Sequence, residues 1–320
     1  MGIKDLGGLS EPLTKLIHVV SSGIGTLYRP RAMKKGAEAK AYEIKTLAKA
    51  EAEAGEIQKE ISLRATTNRI ASIVKEQPEL AERAKQRLLA REIEGQLNIE
   101  EIANHAALAL PQEVSAEPVS PNWRRKFFLE AENVCEEDIQ FLWGKVLAGE
   151  IAKPGSFSLR TLDVLKGLSR SEAEMFQRAC RIAMSGGWIA LPEDDLNIAL
   201  KPFAITYSDI LVLRDAGLMR EGDLTHKTFT FTTDGAPVKV VLPNNHTLIE
   251  ISGPAAGFNL RSLLFSNAGT ELQPLIEFSP NPEYFRALGQ YLRSQSLTVK
   301  RGSMVLKDNG TTFLSFDEEL

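Results

Sequence analysis

Apolar residues recur at helical spacing through the first two thirds of the chain and shift towards a period of two in the last third. In GLSEPLTKLIHVVSSGIGTLY, Leu9, Leu13, Leu16, Ile17, Val20, Ile24 and Leu27 share one face of a helix, opposite Glu11, Thr14, Lys15, His18 and Ser22. The pattern predicts an amphipathic helix within residues 1–30, stopping at Gly23 and Gly25. Leu13, Leu16, Ile17, Val20 and Ile24 would then meet either a neighbouring subunit or a membrane interface. The polar face is weakly charged, which favours protein packing over lipid.

From residue 31 the chain is rich in Ala, Glu and Lys, with no proline until Pro78. Good helix formers in every turn predict one long helix, about 65 Å if unbroken. Its apolar seam is thin: Ile44, Leu47, Ile57 and Ile61 only approximate a heptad, and Gly36 and Gly55 weaken it. Pro78 breaks the run, and a second helical stretch carries Leu80, Ala84, Leu88, Ile93, Leu97, Ile102 and Ala106. Residues 31–110 therefore read as a helical hairpin or coiled-coil arm, with Ile44, Leu47, Ile57 and Ile61 packing between helices. The polar, proline-punctuated piece at 111–121 reads as a linker and the main domain boundary.

Residues 122–186 form a helical domain in this reading. Trp123, Phe127, Phe128, Ala131 and Val134 mark a first helix, and Ile139, Leu142, Trp143, Val146 and Leu147 a second. Leu159, Leu162 and Leu165 mark a third, and Ser171 with Glu174, in capping-box spacing, opens a fourth. Residues 187–320 read as an α+β domain of short antiparallel strands. It has a helix over Tyr207 to Gly217 capped by Thr206 and Asp209, a hairpin turning at Asp234-Gly235, a strand at His246 to Glu250, a helix in PEYFRALGQYLRSQ, and a hairpin at Asn309-Gly310. The fold class is thus mainly α with an α+β C-terminal part containing winged-helix-like helix-plus-hairpin units.

Composition narrows the classes of function. The chain has 320 residues, a hydrophobic fraction of 43%, a charged fraction of 25% and a net charge of −4, which is globular and carries no global basic field for nucleic acid. No stretch is long and apolar enough for a transmembrane helix. With no secretory signal in view, Cys135 and Cys180 are expected to be free, buried thiols in a reducing compartment. The expected location is cytoplasmic, with peripheral contact at the inner membrane left open.

No pattern of catalytic, metal or cofactor chemistry emerges. His18, His105, His226 and His246 are scattered, and none has a ligand partner at metal-binding spacing on its own element. Ser21-Ser22-Gly23-Ile24-Gly25 lacks the lysine and the preceding strand of a phosphate loop and reads as a helix stop. Glu136-Glu137-Asp138 opens a helix and complements its dipole, and Glu193-Asp194-Asp195 sits in a loop after Pro192. The expectation is a protein without a catalytic residue, metal or cofactor. The basic residues Arg124, Arg125, Lys126 and Arg214 are candidate nucleic-acid contacts, though consecutive residues on a helix point apart and the helix at Tyr207 carries only Arg214.

DIQFLWGKVLAGEIAKPGSFSLRTLDVLKGLSRSEAEMF, Asp138 to Phe176, resembles the central motif of an uncharacterised bacterial family of unknown function. More distantly it is similar to the abortive-infection alpha proteins, as are VLRDAGLM, within Leu211 to Met219, and FSNAGTELQPLI, Phe265 to Ile276. The resemblance covers about half the chain. It implies a bacterial anti-phage protein that acts by self-assembly or membrane association rather than catalysis, as a homo-oligomer triggered by a phage-derived or host protein. The competing expectation is a winged-helix-like nucleic-acid-binding or regulatory module, with nucleic acid the less favoured partner.

Overall fold

The computed structural model describes residues 10–26, 28, 72, 74–193, 195–222, 225–231, 238–241, 247–253, 257–306 and 312–319. The seam positions Ile44, Leu47, Ile57 and Ile61 lie outside the described residues, as do His246 and the Asp234-Gly235 and Asn309-Gly310 turns. The chain divides into two compact units, Met1–Leu162 and Asp163–Leu320.

Unit 1 is helical: α1 (Glu11–Ile24), α2 (Pro78–Ala109), α3 (Pro121–Ala131), α4 (Glu137–Ala152) and the start of α5 (Leu159–Gly167). Pro78 at the first position of α2 and Pro121 at that of α3 use a site where a missing N–H costs nothing. The core is aromatic. Phe127 stacks on Trp123 at 4.9 Å and leans on Trp143 at 5.0 Å between ring centroids, all three buried.

Around this cluster α1 packs on α2, α3 and α4, burying Leu16, Ile17, Val19 and Val20. Lys15 fastens the helix: its Nζ donates to the carbonyls of Ser115, Glu117 and Ile151 at 2.6, 2.8 and 2.9 Å. Burial pulls this ammonium below the ordinary lysine range, against the raising fields of Glu11, Glu117 and Glu150.

The division between units falls inside α5, whereas the sequence places the main boundary at 111–121. That proline-rich stretch is held within unit 1 by Lys15 and by the Ser115 N–H donating to Ala152 O at 2.8 Å. Polar, irregular chain of this kind can be part of a body when its backbone groups find partners.

The LWGKVLAGE...PGSF motif explains itself as joinery. A Cβ on Gly144 would stand 2.4 Å from His105 Cβ, so this glycine lets α4 approach α2 closely. A Cβ on Gly149 would meet the Phe157 ring at 2.7 Å. Glu150, buried, accepts from the N–H groups of Gly155 at 2.8 Å and Phe157 at 3.1 Å and so pins the turn that follows α4.

Unit 2 holds the rest of α5, then α6 (Arg170–Cys180), β1 (Trp188–Ala190), α7 (Leu196–Ala199), a 3-10 turn (Lys201–Phe203), α8 (Tyr207–Asp215), β2 (Thr225–Thr230), β3 (Val238–Val241), β4 (Thr247–Ser252) and β5 (Gly257–Leu264). After β5 come α9 (Asn267–Leu272), a 3-10 turn (Gln273–Leu275), α10 (Pro282–Ser294), β6 (Thr298–Leu306) and β7 (Thr312–Glu319). The strands form two antiparallel sheets, ordered β1-β5-β2 and β3-β4-β6-β7.

The capping box of α6 is formed by Ser169 and Glu172, two residues before the expected Ser171 and Glu174. Both pairs have the spacing, but only Ser169 stands outside the helix, where its backbone N–H is free to donate to Glu172 at 2.7 Å. The box at Thr206 and Asp209 forms as expected, with Thr206 N donating to Asp209 at 2.7 Å.

Among the described residues β2 and β3 do not pair with each other as the expected hairpin would have them. β2 pairs with β5, setting Phe229 against Phe258, and β3 pairs with β4 in the other sheet. The rings of Phe229 and Phe258 stack with centroids 4.9 Å apart, a cross-strand contact that favours the β2–β5 pairing. β6 and β7 do pair antiparallel across the Asn309-Gly310 region.

In the four-stranded sheet, Glu250 on β4 and Lys300 on β6 stand at directly opposed positions. α10 packs on β6 and buries Tyr284, Phe285, Leu288 and Leu292. The Tyr284 hydroxyl donates to Ala190 O at 2.7 Å, and burial pushes its phenol far above the usual range.

Candidate functional site

The resemblance segments in unit 2 are structural too. Ser266 caps α9 by accepting from Gly269 N and donates its hydroxyl to Gly217 O at 2.5 Å. Ser266 N donates to Leu218 O at 3.0 Å, and a Cβ on Gly269 would strike that same carbonyl. VLRDAGLM and FSNAGTEL are therefore two halves of one joint. The functional surface has to be sought elsewhere.

It lies on α2. The C-terminal half of this 32-residue helix is seated on α4 through Gly95, Ile99, Ile102, Ala103 and Ala106. The root is clamped by polar groups: Asn98 Nδ2 donates to Glu132 O at 2.9 Å, and buried Gln140 donates to Asn98 Oδ1 at 3.0 Å and Val134 O at 2.8 Å. Arg91 reaches Glu132 at 3.3 Å.

Among the described residues, the N-terminal half and Leu97 just beyond it have no such cover. Leu88, Leu89, Ile93 and Leu97 are 59%, 60%, 52% and 57% exposed, and Leu80 is 43% exposed. Leu80, Ala84 and Leu88 continue the face that is buried further along, whereas Leu89, Ile93 and Leu97 form a second ridge at i, i+4 and i+8 on the side turned away from α4. Isolated exposed leucines are ordinary, but an apolar ridge along one side of a helix is a candidate contact surface.

Where the two halves of α2 meet, α1, α2 and α3 enclose a cleft of about 330 Å³. Gly23, Ile24, Gly95, Ile99 and Phe128 give it an apolar floor, and Arg91, Arg125, Glu92 and Glu132 a rim of mixed charge. Arg91 is already engaged by Glu132, so the rim concentrates neither sign of charge. The cleft thus offers shape and apolar area rather than a reactive group.

The structure separates the residues expected to act together. Leu16, Ile17 and Val20 are buried against α2, α3 and α4, and Leu13 and Ile24 are half-buried, so the α1 face serves the chain's own core. An amphipathic stripe reports that a face is covered and is silent on what covers it.

Arg125 is exposed at the cleft and Arg124 and Lys126 are half-buried on other sides of α3, while Arg214 belongs to unit 2 with its Nε buried. The four cations form no single patch within either unit. Cys180 is buried, and burial pushes its thiol well above the usual range. Cys135, expected to be buried, is exposed, because it lies in the short loop between α3 and α4 rather than on a helix face.

Among the described residues no group of three or more His, Cys, Asp or Glu is placed to hold a metal, and no helix is long and apolar enough to cross a membrane. A family model described as a protein of unknown function, DUF2806, matches residues 82–188 and 191–289, more than half of the chain and inclusive of the exposed ridge of α2. No curated protein and no solved structure matches.

Proposed function

The chain belongs to the DUF2806 family, and from that premise we propose that it is a non-enzymatic assembly protein whose working surface is the free half of α2. The observation that carries the proposal is the row Leu89, Ile93 and Leu97, exposed on a helix whose root is rigidly fixed by Asn98 and Gln140. A surface held by a polar clamp keeps its geometry, so joining another chain requires little ordering of the helix itself. The setting is the anti-phage one to which the motif resemblance points, with assembly as the response to a phage-derived or host protein.

Replacing Leu89, Ile93 and Leu97 together with serine tests this. The triple variant is expected to keep the thermal midpoint of the parent, since the three side chains contact little of unit 1. By light scattering its mass should fall to that of one chain at concentrations where the parent is larger. A parent that is monomeric throughout would remove the reading.

A second reading draws support from unit 2. The order α6, β1, α7, α8, β2, β5, with strands arranged β1-β5-β2, supports a winged-helix-like reading of this part of unit 2. Its would-be recognition helix α8 exposes Tyr207 and Leu211 and carries Asp209 and Asp215 against Arg214 alone. This chemistry favours a protein partner over phosphate. Duplex DNA is accordingly expected to bind weakly, and tight binding that collapses as salt is raised would make nucleic acid the partner instead.

A further inference from the structure

The free half of α2 carries a charge pattern that specifies its partner. Arg83, Lys85, Arg87 and Arg91 precede Ile93 along the helix together with Glu79, Glu82 and Glu92, a small net positive charge, whereas only the carboxylates Glu94, Glu100 and Glu101 follow it up to Glu101. The Leu89, Ile93 and Leu97 ridge is symmetric about Ile93. We propose that the occupant of this ridge is the same ridge of a second copy of the chain, packed antiparallel about a two-fold axis through Ile93. The proposal rests on the assembly reading and deepens it by naming partner and orientation.

The orientation follows from the charges. Turned about Ile93, Leu89 of one copy meets Leu97 of the other, and Ile93 meets Ile93. The basic stretch Arg83 to Arg87 then runs alongside Glu100 and Glu101 of the second copy, Glu82 arrives at the level of the uncharged Asn104, and the one like-charged approach is Glu92 at the level of Glu94 beside the axis. Parallel pairing in register would set cation against cation and carboxylate against carboxylate, which is repulsive along a whole flank. A two-fold contact is also self-complementary and closed, so it makes a dimer and no filament.

The area sets the strength. Three half-exposed aliphatic side chains of on the order of 100 Å² each, counted over two copies, give roughly 600 Å². Even with the stems of Lys85 and Gln86 added, this lies at the low end of specific interfaces, below about 1,200 Å². The dimer should therefore dissociate on dilution into the micromolar range and weaken as salt screens the flanking charges.

The test is disulfide trapping in the full chain, with Cys135→Ser removing the exposed native thiol and Cys180 left buried. Under mild oxidation, Ile93→Cys alone and a mixture of Leu89→Cys with Leu97→Cys chains are expected to give covalent dimers. Leu89→Cys alone should give several-fold less. If Leu89→Cys alone cross-links as well as the mixture does, pairing is parallel and this proposal falls while assembly through the ridge stands. A chain that remains monomeric by light scattering at every concentration overturns both.

Discussion

Replacing Gly144 with valine is expected to destabilise unit 1 by on the order of 3 kcal/mol, seen as a lower urea midpoint, because overfilling a close-packed contact forces the backbones apart. The position has no room. Even a methyl group would stand 2.4 Å from His105 Cβ and 3.0 Å from both Ala106 N and Ile102 O, and two of these are backbone atoms of α2 that no rotamer change can move. Alanine should therefore act in the same direction and valine more strongly. Since α2 is seated here, the valine variant should also loosen the root of the free half. An unchanged midpoint would mean that the α2–α4 contact is not the close approach described.

In unit 2 the largest expected loss is from Tyr284→Ala, about 4 kcal/mol, as for truncation of a fully buried aromatic side chain. The ring is completely buried, with Phe203 at 5.2 Å and Phe285 at 5.0 Å between centroids. Tyr284→Phe separates packing from polarity: it keeps the ring, strands the Ala190 carbonyl, and should cost only about 1–2 kcal/mol. Trp188 lies in unit 2, whereas Trp123 and Trp143 lie in unit 1. Indole fluorescence with the two unit 1 tryptophans replaced by phenylalanine would follow unit 2 alone. Equal losses for the alanine and phenylalanine variants would show that the hydroxyl, not the ring, dominates.

Much of the helical architecture was legible because its signals are local. Pro78 and Pro121 mark helix starts, Thr206 and Asp209 cap α8, and the period of Trp123, Phe127 and Ala131 is that of the face α3 buries. What failed was non-local. Asp234-Gly235 advertises a hairpin, but the partner of β2 is β5, chosen by Phe258 nearly thirty residues further on.

The site was half legible for a related reason. Leu88, Ile93 and Leu97 have near-helical spacing whether covered or not; Leu88 and Ile93 are exposed where α2 runs beyond its seat on α4, and Leu97 because it lies on the side turned away from α4. That depends on elements elsewhere in the chain. The glycines of the central motif read as turn and packing residues, yet which neighbour each admits, His105 for Gly144 and Phe157 for Gly149, is written only in three dimensions.

One continuous helix joins the seated residues of α2 to its free ridge, so the two are in fixed azimuthal phase. A residue added or removed between Ile93 and Gly95 would turn Leu89 and Ile93 by about 100° relative to Leu97 and the seat and so split the ridge, and only a change of a whole number of turns would bring the three back into line. α2 thus acts as a keyed shaft: the unbroken helical register from Leu89 through the seat determines which way the ridge faces as much as the side chains that compose it.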